Sequence, residues 1–184
     1  MRISGGAAKG RTIKFPSQSI QRPTTDFLRE ALFNLLEAPE GQNYLDLFAG
    51  SGSVGLEALS REAKTATFVE KSKVLIEVIR ENANLCGYSE RCLLIHADVH
   101  SAVRDLCRKK NRYHVIFADP PYNQGLIGET LNVLKEYPVL QESGIMVLQH
   151  SIREPLTKLA DDWSVVDQRK YGDNLLSFIR MDTA

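Results

Sequence analysis

Residues 44–55, YLDLFAGSGSVG, decide the fold of this chain. They begin with an apolar run typical of a buried strand and continue into Leu56-Glu57-Ala58-Leu59, a stretch typical of a helix. Between the two, Gly50, Gly52 and Gly55 form the pattern G-x-G-x-x-G, which lets the backbone turn tightly and approach a nucleotide-like ligand at a helix N-terminus. The stretch therefore predicts a strand, a glycine turn and a helix, with a ligand beside the turn.

Acidic residues at the ends of three predicted strands narrow the choice of ligand. Glu70 follows the run 66–69, twenty positions after Gly50, where an acid can bind both ribose hydroxyls of a nicotinamide dinucleotide or of S-adenosylmethionine. Asp46 favours S-adenosylmethionine, because a carboxylate attracts a cationic sulfonium and an amino-acid tail rather than a pyrophosphate. Asp98 follows the run 92–97 and can accept from an adenine amine, cap a helix beginning near Val99, or do both.

A second motif, Asp119-Pro120-Pro121-Tyr122, closes the apolar run 115–118. The exocyclic amine of a nucleobase is a poor nucleophile, so an enzyme that methylates it must accept hydrogen bonds from it. The Asp119 carboxylate can accept one N–H and the Pro120 carbonyl another, while Tyr122 can stack on the base. The alternative is an ordinary Pro-Pro turn with Tyr122 at its rim. The glycine motif upstream favours the first interpretation.

Apolar runs and helical patterns alternate along most of the chain. Strands are predicted near 43–48, 65–70, 92–96 and 113–118, and helices near 53–62, 72–86, 99–110 and 125–137. This alternation predicts an α/β fold in which helices wrap a parallel sheet and ligands bind beyond the strand C-termini. The C-terminal part is predicted to hold a strand at 145–148, a helix after Ser151, and strands near 163–169 and 174–181.

The N-terminal 40 residues are predicted to be an extension of a main domain spanning residues 41–184. The extension has a short β segment around Ile3 and 12–15, and a helix from about Thr25 to Leu36. Residues 1–30 hold six Lys and Arg against two acids, although the net charge of the whole chain is zero. This basic end predicts a phosphate-binding surface, and the alternative is a solvated segment, partly mobile until RNA binds.

Composition sets the remaining limits. A chain of 184 residues that is 43% hydrophobic can bury the core of one domain. The absence of a long apolar stretch and the polar N-terminus predict a cytosolic protein without a membrane segment. Three cysteines without C-x-x-C spacing predict reduced thiols, and four scattered histidines argue against a metal site. A monomer is the default expectation.

These motifs, in this order, resemble the class I methyltransferases that act on exocyclic amines. The closer resemblance is to the bacterial 16S rRNA guanine-N2 methyltransferase family, which modifies guanine 966. It rests on Asp46–Gly52 and Asp119–Tyr122 together with four further stretches, namely Met1-Arg2-Ile3 to Lys9-Gly10-Arg11, Arg22-Pro23-Thr24-Thr25-Asp26, Arg29 to Asn34, and Tyr171-Gly172. It covers essentially the whole chain, and the Arg-Pro-Thr-Thr-Asp stretch is its most discriminating part.

The resemblance implies a Rossmann-like sheet of seven strands, mostly parallel, with an antiparallel C-terminal hairpin and helices on both faces. It implies catalysis by Asp119, Pro120, Pro121 and Tyr122. It implies that S-adenosylmethionine is bound by Asp46, Phe48, Gly50, Ser51, Gly52, Glu70, Asp98 and Val99. It implies that 16S rRNA, naked or in a small-subunit particle, is bound by Arg2, Lys9, Arg11, Arg22, Thr24, Thr25, Arg29 and Tyr171. Gln149 departs from the family pattern, which has an acid there, and Phe27-Leu28 replaces a more basic pair.

Three other functions fit part of the sequence. A DNA adenine-N6 methyltransferase shares the Asp-Pro-Pro-Tyr chemistry but generally needs additional structure to recognise a duplex. A nicotinamide-dependent dehydrogenase explains the glycine turn and Glu70 but not Asp119 to Tyr122. An RNA-binding assembly factor without catalysis is the third, and donor binding without methyl transfer would identify it.

Overall fold

A computed structural model describes residues 1–15, 26–36, 39–122, 124–156 and 163–181 of the chain. The helices are α1 (Asp26–Leu35), α2 (Ser53–Ser60), α3 (Lys73–Cys86), α4 (Val99–Arg108) and α5 (Leu126–Glu136). The strands are β1 (Asn43–Leu47), β2 (Thr65–Glu70), β3 (Cys92–His96), β4 (Tyr113–Ala118), β5 (Leu140–Ser151), β6 (Trp163–Tyr171) and β7 (Asn174–Met181). A short 3-10 helix, Ser89–Arg91, precedes β3.

The seven strands form one sheet in the order β3-β2-β1-β4-β5-β7-β6. Strands β1 to β5 are parallel, whereas β7 runs antiparallel to both β5 and β6. This confirms the predicted α/β fold with an antiparallel C-terminal hairpin. Leu47, the last residue of β1, pairs with Val69 on one side and Ala118 on the other. The turns that follow β1, β2 and β4 therefore start at the same edge of the sheet.

Helices cover both faces of the sheet, and each face has its own apolar cluster. Side chains of β1 alternate between the faces, because successive residues of a strand point in opposite directions. Tyr44 belongs to the cluster that includes residues of α1, α2 and α3, while Leu45 and Leu47 belong to the cluster that includes residues of α4 and α5. Both leucines are fully buried. The central strand is therefore covered on both sides, as expected for a parallel sheet.

The N-terminal segment, residues 1–15, packs against α2 and α3. Its backbone is closed by an antiparallel bridge between Arg2 and Thr12, and Ile3 and Ile13 are buried in the core. The backbone N–H groups of Ala7 and Ala8 donate to the carbonyl and hydroxyl oxygens of Ser60. These 15 residues are thus docked, unlike the mobile segment that was one of the expectations.

Gly6 allows the N-terminal segment to lie in direct contact with the backbone of Ser60. Its φ is +73°, and a Cβ at this position would lie 1.8 Å from the Ser60 carbonyl oxygen. Only glycine can adopt this backbone conformation at that distance from Ser60. The contact between the N-terminal segment and the C-terminal end of α2 therefore depends on the absence of a side chain.

A buried ion pair joins α1 to α2. Arg29 and Glu57 are both fully buried, and Arg29 Nε lies 3.1 Å from Glu57 Oε2. Arg29 also pairs with Asp26 and donates to the carbonyl oxygen of Arg2. Glu57 accepts in addition from the N–H and hydroxyl groups of Ser4. These bonds compensate part of the desolvation cost of two buried charges.

Two details differ from the sequence-based prediction. Residues 152–156 form a turn instead of a helix, with the Glu154 N–H donating to the Ser151 carbonyl, and residues 157–162 are outside the described residues. Strand β5 begins at Leu140, five residues before the predicted start, because Leu140 pairs with Tyr113 ahead of an irregularity in the register. Within the described residues, no helix has the length and apolar character needed to cross a membrane.

Candidate active site

A cleft opens at the edge where β1, β2 and β4 end. It holds about 740 Å³ of space, part of which is open to solvent. Its lining comprises Phe48, Val69, Glu70, Lys71, Ala97, Asp98, Val99, His100, Pro121, Leu126, Glu129, Thr130 and Val133. The structure thus brings together four of the predicted cofactor-binding residues and one proline of the predicted catalytic motif.

The glycine turn between β1 and α2 has three residues in left-handed backbone conformations. Gly50 has φ +57° and Gly52 has φ +77°, and Phe48, which lines the cleft, has φ +62°. The left-handed region costs a non-glycine residue about 1–2 kcal/mol. Ser51 is buried, and its carbonyl accepts a hydrogen bond of 3.0 Å from Asn82 Nδ2 on α3. The surrounding structure therefore holds Phe48 in an unfavourable conformation at the mouth of the cleft.

Glu70 supports this turn from the end of β2. One carboxylate oxygen accepts from the Gly50 N–H at 2.9 Å, and the other accepts from the Ser72 N–H, also at 2.9 Å. Each carboxylate oxygen has a second lone pair for a further donor. Glu70 is therefore a structural support of the glycine turn, and it retains the capacity to bind hydroxyl groups in the cleft.

Asp46 lies beneath the turn and is buried, with a relative exposure of 3%. Its Oδ2 accepts a 3.1 Å hydrogen bond from the Gly55 N–H in the first turn of α2. Burial raises the pKa of Asp46 to about 8, and the negative charges of Asp119 and Glu70 add to this increase, while the Gly55 bond opposes it. A cation beside Asp46 would offset that cost, so these residues fit a positively charged ligand better than a pyrophosphate.

Asp98 caps α4. Its side chain accepts from the Ser101 N–H at 2.9 Å, and this hydrogen bond lowers the pKa of the carboxyl group below its ordinary value. The predicted N-cap is thus confirmed. Asp98 also lines the cleft with Val99, the first residue of α4, so capping leaves it accessible to a ligand.

The Asp119–Tyr122 turn follows β4 and lies beside β5 and β7. Gln149 Nε2 donates to Asp119 Oδ2 at 3.0 Å and lies 3.5 Å from the Tyr122 hydroxyl oxygen. The Tyr122 hydroxyl donates to Asn174 Oδ1 at 2.8 Å, and the Tyr122 side chain is 39% exposed. Asp119 is half-buried and Pro120 is buried. The turn therefore presents a fixed carboxylate and a partly exposed aromatic ring.

Sequence reasoning noted Gln149 only as a departure from a family pattern, and it did not identify Asn174. The missing information was that β7 pairs with β5, which brings Asn174 opposite Ser151 and close to Tyr122. The hydrogen bond between Tyr122 and Asn174 joins residues 52 positions apart in sequence. Gln149 and Asp119 each follow directly after a predicted strand, at residues 145–148 and 113–118, and this was the available signal that the two lie side by side.

The predicted RNA-contacting residues have different environments. Arg2, Lys9 and Arg11 are exposed on the N-terminal segment, and Arg11 donates to the Leu85 carbonyl on α3. The Tyr171 ring makes an edge contact with exposed Phe27, with ring centroids 5.8 Å apart. Arg22, Thr24 and Thr25 lie outside the described residues.

Arg29 requires a correction. It was predicted to contact RNA, but its side chain has no exposed surface and its guanidinium group pairs with Glu57 and Asp26. A buried guanidinium that is held by carboxylates is not available to a phosphate. The role of Arg29 is therefore to hold α1 against α2.

The fold and the cleft define a class. A seven-stranded sheet with this strand order, an acid-lined cleft at the C-terminal edge and an antiparallel last pair of strands is a Rossmann-like fold of the methyltransferase type. The chain belongs to the family described as Conserved hypothetical protein 95, whose model matches residues 1–180.

Relatives and solved structures agree with this assignment over nearly the whole chain. The Escherichia coli (strain K12) protein named Ribosomal RNA small subunit methyltransferase D is 34% identical over 175 residues, or 94% of this chain and 85% of that protein. The structure of yhhF from Escherichia coli, described as a candidate methyltransferase, has a TM-score of 0.87 at 27% identity, covering 100% of this chain and 99% of that one. The structure of a hypothetical protein from Thermus thermophilus has a TM-score of 0.84 at 32% identity, covering 98% of this chain and 99% of that one.

Proposed function

We propose that this protein transfers a methyl group from S-adenosylmethionine to the exocyclic N2 amine of a guanine in 16S ribosomal RNA, at the position equivalent to guanine 966. The observation that carries the proposal is the Asp119 carboxylate, fixed by Gln149 at the same sheet edge as the cleft. The similarity to a protein named Ribosomal RNA small subunit methyltransferase D supports ribosomal RNA as the substrate. The choice of guanine N2 rests on the family resemblance of the motifs.

The cleft residues fit the proposed methyl donor. Asp46 would bind its cationic part, and Phe48 with the glycine turn of Gly50, Ser51 and Gly52 would contact its amino-acid and sugar portions. Glu70 retains free lone pairs for ribose hydroxyls. Asp98 and Val99 line the end of the cleft where an adenine ring would be held. When bound, S-adenosylmethionine supplies a methyl carbon made electrophilic by the positive sulfur.

The Asp119–Tyr122 turn would bind the base. The Asp119 carboxylate accepts one amine N–H and the Pro120 carbonyl accepts the other, so that positive charge developing on nitrogen is stabilised. Tyr122 stacks on the base, which is worth roughly 1–3 kcal/mol per base. Its ring is anchored at the hydroxyl by Asn174. Asp119 either orients the amine or also receives its proton, and both roles require an ionised carboxylate.

Exposed groups of the N-terminal segment and the C-terminal hairpin would bind the RNA backbone. Arg2, Lys9 and Arg11 provide positive charge on the N-terminal segment, and Tyr171 lies on the hairpin that also carries Asn174. Arg22, Thr24 and Thr25 belong to the same proposed surface by family resemblance. The substrate would be 16S rRNA, either naked or within a small-subunit particle, bound by a monomer in the cytoplasm.

The test is methyl transfer from labelled S-adenosylmethionine to three substrates prepared from cells that lack this protein. These are mature small subunits, assembly-intermediate particles and naked 16S rRNA, and the labelled base is then mapped. Label on a single guanine N2 is the expected result. Label on an adenine of DNA would replace the proposal with the DNA methyltransferase, and donor binding without label on any substrate would indicate a non-catalytic factor.

A further inference from the structure

Gln149 holds the proposed catalytic carboxylate from a neighbouring strand. It lies on β5 next to the strand that leads into Asp119, and its side chain is 4% exposed. Its Nε2 is 3.0 Å from Asp119 Oδ2. Because a carboxylate only accepts hydrogen bonds, the amide nitrogen, and not its oxygen, must face Asp119. The contact is therefore a hydrogen bond that Gln149 donates to a carboxylate oxygen of Asp119.

The same side chain leaves its other polar atom unsatisfied. Gln149 Oε1 is buried and has no hydrogen-bond partner among the described residues. Buried acceptors without a partner are rare in folded proteins, and each needs an explanation. The amide nitrogen contacts Asp119 and Tyr122, but the amide oxygen has no hydrogen bond, and a buried polar atom without a partner lowers the stability of the folded protein. The orientation of the Gln149 side chain therefore serves to hold the Asp119 carboxylate and the Tyr122 hydroxyl group in place.

We propose that Gln149 is a positioning residue that keeps the Asp119 carboxylate ionised and fixed for binding the substrate amine. This inference deepens the proposed function and rests on it. A glutamate at this position would place a second carboxylate about 3.0 Å from Asp119. Two carboxyl groups at that separation share a proton, as like charges disfavour a second ionisation. The amide has the same shape without that charge.

Gln149 is an uncharged side chain in a region that contains several acidic groups. Asp119 already interacts with the buried carboxyl group of Asp46, which in turn interacts with Glu70. His150, beside Gln149 on β5, is buried between Ser177 and the Glu154 carbonyl, and burial lowers its pKa, so it adds no positive charge. Among the described residues, Tyr122 on the same turn and Lys71, Asp98, His100 and Glu129 in the cleft are further charged or titratable groups at this edge. One more acid would therefore enter a region that is rich in acids.

The direct test is the titration of Asp119 in the intact protein by NMR of aspartate labelled with ¹³C at the carboxyl carbon. The Asp119→Asn variant identifies the resonance. In Gln149→Glu the midpoint of the Asp119 titration is expected to move upward by at least about one pH unit relative to the wild type. In Gln149→Met, which keeps the volume but donates no hydrogen bond, a smaller upward shift is expected. Unchanged midpoints in both variants would overturn the proposal, whether or not the protein methylates RNA.

The kinetic test separates positioning from simple packing. The acid limb of the pH profile of kcat/KM is expected to move to higher pH in Gln149→Glu, with activity recovered at alkaline pH. In Gln149→Met, kcat is expected to fall about tenfold on the alkaline plateau of the profile, where the carboxylate is ionised but no longer fixed. The Kd for S-adenosylmethionine should stay close to the wild-type value in both variants. Profiles that overlie the wild type would refute the positioning role, whereas an inactive wild type with shifted NMR midpoints would refute only the proposed function.

Discussion

At the scale of single residues, the sheet edge concentrates negative charge. Asp46, Glu70 and Asp119 lie at the ends of three adjacent strands, and the first of them is nearly fully buried. Water stabilises such charges poorly at a buried position, so Asp46 retains its proton up to a pH of about 8. A cationic ligand changes this balance, since it favours the ionised carboxylate. Binding of the proposed donor should therefore be linked to the release of a proton.

The donor affinity should accordingly depend on pH. Below a pH of about 8, binding must ionise Asp46, so the Kd for S-adenosylmethionine should rise as the pH falls below that value, by up to about tenfold per pH unit. Above a pH of about 8 the carboxyl group is already ionised and the Kd should be constant. Calorimetry in buffers of different ionisation enthalpy measures both the Kd and the protons released. In Asp46→Asn the Kd should be higher than in the wild type above a pH of about 8 and should not depend on pH. A wild-type Kd that does not change with pH would contradict the role given to Asp46.

The role of Asp119 predicts a different pattern. Asp119→Ala removes the acceptor for the amine, so kcat should fall at least about a hundredfold, the loss typical of one stabilising group at a reacting centre. The donor Kd should stay close to that of the wild type, because Asp119 is proposed to contact the base and not the donor. Single-turnover methylation and calorimetry measure the two effects separately. Loss of donor binding along with activity would show that Asp119 belongs to the donor site instead.

Tyr122 provides a third test at this scale. In Tyr122→Ala the stacking surface is lost, so the KM for RNA should rise by about one to two orders of magnitude, as expected for roughly 1–3 kcal/mol. In Tyr122→Phe the ring remains and only the hydrogen bond to Asn174 is lost, so the KM should change much less. Equal effects of the two substitutions would mean that the hydroxyl group, and not the ring, is what matters.

Sequence reasoning placed the acids correctly because each follows a recognisable apolar strand. Asp46, Glu70, Asp98 and Asp119 all reach the predicted edge. It misplaced Arg29, because the partner that buries it, Glu57, is 28 residues away on another helix and no local pattern relates the two. The strained Phe48 was likewise not predictable, since its positive φ depends on the tertiary structure around the turn.

At the scale of secondary-structure elements, the packing of α2 on β2 determines the shape of the glycine turn. A Cβ added to Gly55 would lie 2.4 Å from Phe68 Cε1, so this glycine allows the helix to approach the sheet. The same residue donates its N–H to Asp46. Close packing and the position of the buried acid thus depend on one residue of α2.

Gly55→Ala should destabilise the protein by roughly 1–3 kcal/mol, because the added methyl group overlaps a buried ring. Gly128→Ala in α5 is the matched control, since a Cβ there would have no atom within 4 Å. That control should be stabilising by roughly 0.5–1 kcal/mol, as alanine is the better helix former. Denaturant unfolding measures both free energies. A neutral Gly55→Ala would show that Phe68 can move aside at little cost.

Elements with a strong hydrophobic period were predicted well, and those fixed by pairing were not. The strands β2, β3 and β4 have the predicted bounds, because each is a distinct apolar run between helical patterns. The early start of β5 depends on pairing between Leu140 and Tyr113, which the local sequence does not reveal. The turn at residues 152–156 replaces a predicted helix and is followed by residues outside the described part of the chain.

At the scale of the whole molecule, the N-terminal segment and α1 are joined to the sheet through a few buried polar groups. Arg29→Ala should destabilise the protein by about 3–5 kcal/mol, because it leaves Glu57 without its buried partner. Arg2→Ala is the matched control: its side chain is exposed, and only its backbone carbonyl contacts Arg29. Arg2→Ala should leave stability within about 0.5 kcal/mol of the wild type. Thermal and denaturant unfolding compare the two.

For RNA binding, Arg2→Ala should have the larger effect and Arg29→Ala the smaller one. If Arg2 contacts a phosphate, Arg2→Ala should weaken binding and reduce the slope of log K against log salt concentration by about one. Arg29→Ala should leave that slope unchanged in protein that is still folded. Filter binding at several salt concentrations measures the slope. An unchanged slope in Arg2→Ala would remove Arg2 from the proposed RNA surface.

The Asn82 amide has a consequence for how the chain folds during synthesis. It bonds to both the N–H and the carbonyl of Lys14 and to the carbonyl of Ser51, over separations of 68 and 31 residues. Residues 1–15 are translated before their partners on α2 and α3. The bonds between Lys14 and Asn82 can therefore form only after residue 82 has emerged, so docking of the N-terminal segment is completed only once that part of α3 has been translated.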